Sequence, residues 1–193
     1  MATGSNGSRP RRRSERSRRR RVVVLRIGHR PQRDPRLTTH LALASRALGA
    51  ERLWVHPGDP ELEERLRSVA REWGGRFAVE AVTDWRRAIR NWNGLVVHLT
   101  MYGEPFERAL ASLPPDVPIL LVVGGAKVPA DLYRLADRNV AVGSQPHSEV
   151  AAAALALDRL TTPPDAREFS GARRRIVPQA AGKRVRVRPL GSP

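Results

Sequence analysis

The sequence predicts an α/β domain built on a largely parallel sheet with helices on both faces. Three observations carry this. Six short apolar runs alternate in order with stretches of helical periodicity. The runs are nearly continuous in Val, Ile and Leu, as strands covered on both faces must be. Most helical stretches also open or close on a local signal: an Asp or Thr cap, a proline in the first turn, or a glycine after the last.

Val22–Ile27 is the first strand, ended by the polar stretch Gly28–Arg36. Thr38 or Thr39 is the expected cap of the next helix, whose stripe is Leu41, Leu43, Ala44, Ala47 and Leu48 before Gly49. Leu53–His56 is the second strand. Asp59-Pro60 then opens a helix with Leu62, Leu66, Val69, Ala70 and Trp73 on one face, closed by Gly74-Gly75. Phe77–Val82 is followed by a helix over Asp84–Trp92, and Leu95–Leu99 by one near Pro105–Leu113. Val117–Val123 is the most apolar strand, with a short helix after Pro129. Val140–Val142 is the last, before a helix over Pro146–Leu160. Ligands of such sheets bind beyond the carboxyl ends of the strands, so functional residues are expected in the loops there.

The formal charge of +16 on 193 residues is gathered at the two ends. Residues 1–21 hold nine arginines against Glu15, and residues 165–193 hold eight basic side chains against Asp165 and Glu168, leaving +2 for residues 22–164. The expected organisation is a disordered basic tail over 1–21, one domain over 22–164 and a basic extension over 165–193. Such ends suit a phosphate backbone; solvated tails are the plainer reading. The absence of cysteine excludes disulfides and thiolate-bound metals or clusters. The longest apolar run, Val150–Leu157, falls short of the about 20 residues that span a bilayer, and no apolar region follows the basic start. A cytoplasmic protein without a membrane partner is expected.

Three loops after strands hold more chemistry than a turn needs. The first is Arg26-Ile27-Gly28-His29-Arg30-Pro31-Gln32-Arg33-Asp34, with several ionisable side chains. The second is Gly124-Gly125-Ala126-Lys127-Val128-Pro129, where two glycines let backbone approach a ligand or simply form a turn. The third is Val142-Gly143-Ser144-Gln145-Pro146-His147-Ser148-Glu149, at a strand-to-helix junction where free N–H groups can meet ligand acceptors. None matches a dinucleotide or P-loop glycine motif, no G-x-S-x-G elbow is present, and no metal spacing stands out.

Taken together these loops resemble the archaeal tRNA cytidine-56 2′-O-methyltransferases of the SPOUT superfamily. Arg26–Asp34 followed by Thr38-Thr39-His40 is similar to that family's first motif, and His98-Leu99-Thr100-Met101-Tyr102-Gly103 to its second block. Gly124–Pro129 resembles its Gly-Ala-Glu-Lys-Val-Pro segment, Val142–Val150 its Ile-Gly-Asn-Gln-Pro-His-Ser-Glu-Val segment, and Ile176-Val177-Pro178-Gln179 matches near the end. The order and spacing hold from about Val22 to Val187. Departures fall at Gly125, in a segment that lacks the family's Glu, and at Ser144, where the family has Asn. The long basic N-terminus is a further departure.

The resemblance implies a C-terminal deep trefoil knot, an exception to the rule against threaded chains. It also implies a homodimer, tRNA as partner and S-adenosyl-L-methionine (AdoMet) as methyl donor, with no metal. AdoMet would be held by Leu99, Gly124, Gly125, Ala126, Lys127 and Val128, and by Val142, Gly143, Ser144, Gln145, Pro146, His147, Ser148 and Glu149. Arg33 and Arg30 would be the catalytic arginines. They would stabilise the developing 2′-alkoxide while the proton leaves to water, phosphate, His29 or His40. The alternatives are a non-catalytic tRNA-binding protein of the same fold and a SPOUT enzyme that methylates an RNA base.

Overall fold

The computed structural model describes residues 20–125, 127–161 and 169–188. Its strands are β1 (Val22–Ile27), β2 (Arg52–His56), β3 (Ala78–Ala81), β4 (Leu95–Pro105), β5 (Ile119–Val123) and β6 (Arg138–Ala141). They form one six-stranded sheet in the order β3-β2-β1-β5-β4-β6, and every pairing is parallel. Between them lie α1 (Pro35–Ala47), α2 (Pro60–Trp73), α3 (Trp85–Arg90), α4 (Phe106–Ala111), α5 (Leu132–Leu135) and α6 (Glu149–Leu160). Among the described residues no helix is long and apolar enough to cross a membrane.

The central strands β1 and β5 are buried at every residue, which accounts for their unbroken apolar sequence. Alternate side chains divide between the two faces. Val22 and Val24 join Leu41, Leu62, Phe106 and Leu157 under α1, α2, α4 and α6, whereas Val23, Leu25 and Ile27 join Trp85, Ile89 and Leu132 under α3 and α5. The strand order reverses between β1 and β5, so a crevice opens at their carboxyl ends.

Several element boundaries differ from expectation. Helix α1 starts at Pro35 behind Asp34, not at Thr38 or Thr39, because the fixed φ of proline begins the helix earlier. Thr39 sits inside the helix, its hydroxyl donating to Pro35 O at 2.7 Å. Helix α6 starts at Glu149 rather than Pro146; Ser148 caps it, accepting from Val150 N at 3.2 Å. Strand β4 runs beyond Leu99 to Pro105. Its register with β6 shifts between Leu99 and Glu104, so Thr100–Gly103 leaves the ladder. Helix α2 matches expectation, with Asp59 Oδ1 accepting from Leu62 N at 3.0 Å.

The basic extension is more than a tail. Residues 169–188 contain an antiparallel hairpin of β7 (Arg174–Ile176) and β8 (Val185–Val187), docked on the end of α2. Glu72 pairs with Arg173 and Arg174 at 2.9 and 2.8 Å, and Gly75 N donates to Ser170 O at 2.8 Å. Gly74 is required twice over: its φ is +71°, and a Cβ there would lie 2.6 Å from Ser170 O and Ala172 N. Short strands rich in arginine carry too weak an alternation to be read as a hairpin. The expected disorder of 1–21 falls almost wholly outside the described residues, as do the 164/165 boundary and Ala126.

Candidate functional site

Three loops converge beyond the carboxyl ends of β4, β5 and β6 to enclose a cavity of about 550 Å³, within the range of small-molecule sites. Leu99, Gly124, Gly125, Lys127, Val128, Val142, Pro146, His147 and Glu149 line it, as expected from the sequence. Gly143, Ser144, Gln145 and Ser148 belong to the same third loop but do not face the cavity, and Ala126 lies outside the described residues. Glycine is needed at 124, because a Cβ there would overlap the Val128 side chain. His147 Nδ1 donates to Gln145 O at 2.7 Å, which folds the third loop on itself before Ser148 starts α6.

The cavity also has walls that the sequence reading did not assign. His98, Thr100, Met101, Tyr102 and Tyr133 line it, Tyr133 arriving from α5 on the far face of the sheet. His98 is buried, and Asn139 Oδ1 lies 2.8 Å from its Nδ1. Asn139 Nδ2 donates to Tyr133 O at 2.9 Å, which turns Oδ1 toward the histidine and places the ring proton on Nδ1. The His98 and Tyr133 rings meet edge to face at 5.0 Å, and Thr100 Oγ1 reaches the Tyr133 hydroxyl at 3.1 Å. Tyr102, 80% exposed, stands at the mouth. The signal for these residues in the sequence is the block His98–Gly103 itself, where the resemblance implies a role for Leu99 alone.

Burial lowers the His98 pKa from 6.5, so the ring is neutral in the native state and charges more readily once unfolded. A depressed pKa contributes stability above the unfolded value that is lost as pH falls through the native one. The melting temperature should therefore decline below pH 6.5. That decline should be shallower for His98→Gln in a pH series of thermal melts; equal slopes would remove His98 as a source of the acid sensitivity.

The first motif forms a rigid corner between β1, α1 and α2. His29 is buried, its Nε2 donating to Asp59 Oδ2 at 3.0 Å and its Nδ1 bonded to Thr38 Oγ1 at 2.8 Å. Both ring nitrogens are therefore engaged, and His29 has none to offer a substrate. Burial pushes Asp59 up, but the Leu62 N–H and His29 outweigh it and hold the carboxyl below its usual range. His40 is exposed on α1 and is not among the cavity walls. Neither are Arg30 and Arg33. Arg30 is clamped to Asp34 by two bonds, Nε to Oδ2 at 2.9 Å and Nη2 to Oδ1 at 3.0 Å, which lower the Asp34 pKa. Arg33 is exposed on the turn before Asp34.

A residue not singled out for a role joins this corner to the cavity. Arg26, 1% exposed, places Nη2 2.9 Å from Glu149 Oε1 and 4.0 Å from Asp34 Oδ2. The contact with Glu149 is an ion pair off the axis of a directed hydrogen bond, so Oε1 remains a buried acceptor without a donor. Burial lowers the Arg26 pKa, opposed by Glu149 and then Asp34.

Residues 73–186 match the family model described as tRNA ribose 2′-O-methyltransferase, aTrm56. A tRNA (cytidine(56)-2′-O)-methyltransferase of Cenarchaeum symbiosum is 47% identical over 168 residues, covering 86% of this chain and 96% of the relative. One from Pyrococcus horikoshii is 46% identical over 170 residues, 85% of this chain and 84% of the relative. Among solved structures, the A. aeolicus TrmH/SpoU tRNA modifying enzyme superposes with a TM-score of 0.54 at 14% identity over 75% of each chain. An RNA 2′-O ribose methyltransferase gives 0.53 at 19% identity, over 78% of this chain and 60% of that one. The structural likeness is one of fold.

Proposed function

This chain belongs to the tRNA ribose 2′-O-methyltransferase family aTrm56, and from that premise we propose that it methylates the 2′-hydroxyl of cytidine 56 in the T-loop of tRNA, with AdoMet as donor. The observation that carries the reading is the convergence of three strand-end loops on one cavity. Gly124, Gly125 and Glu149 line it, and Arg26, buried beside Gly125 and Glu149, sets a cation behind that wall. The cavity is large enough for a nucleoside-sized ligand, and its mixed apolar and charged walls fit an adenosine joined to an amino acid.

Bound AdoMet supplies an electrophilic methyl carbon, to which the 2′-oxygen bonds as the carbon–sulfur bond breaks. The protein's part is to align donor and acceptor and to stabilise charge on the attacking oxygen. The expected residues that face the cavity hold the donor: Leu99, Gly124, Gly125, Lys127 and Val128, with Val142, Pro146, His147 and Glu149. Arg33, with Arg30 fixed beside it by Asp34, neutralises the oxygen as its proton leaves to water or a phosphate. Arginine serves here as a cation and donor, since it stays protonated.

The finer features belong to the same proposal. A trefoil knot is favoured by the route from β6 at the sheet edge to α6, which packs against α1 beyond β4 and β5. A homodimer gives a one-domain enzyme a second surface for tRNA, and light scattering tests it. A cytoplasmic setting follows from a tRNA substrate. The ends, 1–21 and 165–193, add nonspecific phosphate attraction to the 22–164 body. Deleting 1–21 should raise the KM for tRNA at low salt and leave kcat alone; a large fall in kcat would contradict it. For the function itself, nucleoside mass spectrometry after reaction with methyl-labelled AdoMet should find 2′-O-methylcytidine. A labelled base would favour the base-methylating alternative, and no label a non-catalytic binder.

A further inference from the structure

Arg26 holds a buried charge with donors to spare. Among the described residues its Nε and Nη1 have no hydrogen-bond partner, although the side chain is 1% exposed. Unused donors on a buried guanidinium are costly, so such a group calls for an acceptor that arrives from elsewhere. The place for it lies beside Gly125. A Cβ built on that glycine would meet, beyond its chain neighbours, only Arg26 Nη2 at 3.9 Å and Nη1 at 4.0 Å. Nη2 and Nη1 thus lie side by side next to the face of Gly125 that carries no side chain, the arrangement that pairs with a carboxylate in bidentate fashion. Gly125 and Glu149 also line the cavity, and Glu149 Oε1 still lacks a donor.

We infer that the place beside Gly125 binds the α-carboxylate of AdoMet through Arg26, with Glu149 receiving the α-ammonium. The charges match in sign and order: a guanidinium and a carboxylate 2.9 Å apart face an amino acid whose own charges are reversed. A zwitterion adds no net charge to a buried pair that is already balanced. Adenine, ribose and sulfonium carry no anion, so the carboxylate is the one group of the donor that can meet Arg26 in this way. The inference rests on the cofactor reading of the cavity and adds the orientation of the donor within it.

Titration calorimetry of the full chain with three ligands tests both levels. These are S-adenosylhomocysteine, its decarboxylated analogue, and 5′-methylthioadenosine, which lacks the whole amino-acid end. The decarboxylated analogue should bind the wild type about ten- to a hundredfold more weakly than S-adenosylhomocysteine, as expected for a bond to a charged group. In Arg26→Met the gap should largely close, and in Arg26→Lys, which keeps the charge without the fork, it should narrow, while affinity for 5′-methylthioadenosine stays at the wild-type value. Equal binding of the two thioethers by the wild type, or a gap undiminished in folded variants, would overturn the assignment. Failure of all three ligands to bind would instead remove the cofactor reading. Should both substitutions unfold the chain, the Arg26 side-chain Nε–H resonance of the wild type decides. It should shift with S-adenosylhomocysteine and not with 5′-methylthioadenosine; no difference would overturn the inference.

Discussion

Arg33→Ala should lower kcat by about a hundredfold at saturating tRNA and AdoMet, while affinity for S-adenosylhomocysteine stays unchanged. The expectation follows from how differently the first motif treats its arginines. Arg26 is buried under Gly125, and Arg30 spends two donors on Asp34. Arg33 is exposed at the tip of the turn, outside the walls of the cavity, where it is free to follow an incoming ribose. Losing a cation that acts on the attacking oxygen removes stabilisation from the transition state rather than from the bound donor. Arg33→Lys distinguishes charge from geometry, since lysine keeps the charge and loses the planar fork. Arg30→Ala should cost less directly but also frees Asp34 to move toward Arg26, 4.0 Å away. Steady-state kinetics paired with calorimetry checks all three, and unchanged kcat in both the Arg33 and Arg30 variants would take the motif out of the chemistry.

Gly103→Ala should disrupt the site from behind. Gly103 lies at the end of the segment where β4 leaves and rejoins β6, and a Cβ there would overlap the backbone of Asn139 and Val140. Backbone cannot swing aside as a side chain can, so the methyl must push the second half of β4 off β6. Overpacking of this kind costs about 1–3 kcal/mol, and in a chain of this size each kcal/mol moves the melting temperature by about 2–4 °C. The same displacement shifts Thr100, Met101 and Tyr102 in the cavity wall and Asn139 under His98. A lower melting temperature together with a large loss of S-adenosylhomocysteine affinity is expected. A variant with wild-type melting and binding would show that the close approach is not needed.

The central sheet was legible because buried parallel strands write their position directly: Val22–Ile27 was read to the residue, and the apolar run ending at Val123 marked β5. Helix starts were less so: Thr38 or Thr39 reads as the cap, whereas the fixed φ of Pro35 begins the helix directly after Asp34. The β4 irregularity left no pattern to read, as Thr100–Gly103 has no ladder partner among the described residues and obeys neither period. Loop residues facing the cavity were found largely through their resemblance to a family rather than through chemistry. Tyr133 escaped both routes, because only the crossing of α5 over β4 brings it to His98. Arg26 was visible as a residue and opaque as a role: that a strand's arginine points under a glycine ninety-nine positions later is a fact of the sheet pairing β1 with β5.

Site-selective methylation of a defined tRNA tests the central claim most directly. A transcript with all ribonucleotides is compared with one carrying a single 2′-deoxycytidine at position 56, each incubated with the protein and methyl-labelled AdoMet. The proposed reaction labels the first and protects one linkage from alkaline cleavage, immediately 3′ of that cytidine, because the 2′-oxygen that attacks the phosphodiester is capped. The deoxy transcript should take no label, having no oxygen to accept it. Label in the deoxy transcript, or an unbroken alkaline ladder from labelled tRNA, would place the methyl elsewhere and contradict the ribose chemistry proposed for this site.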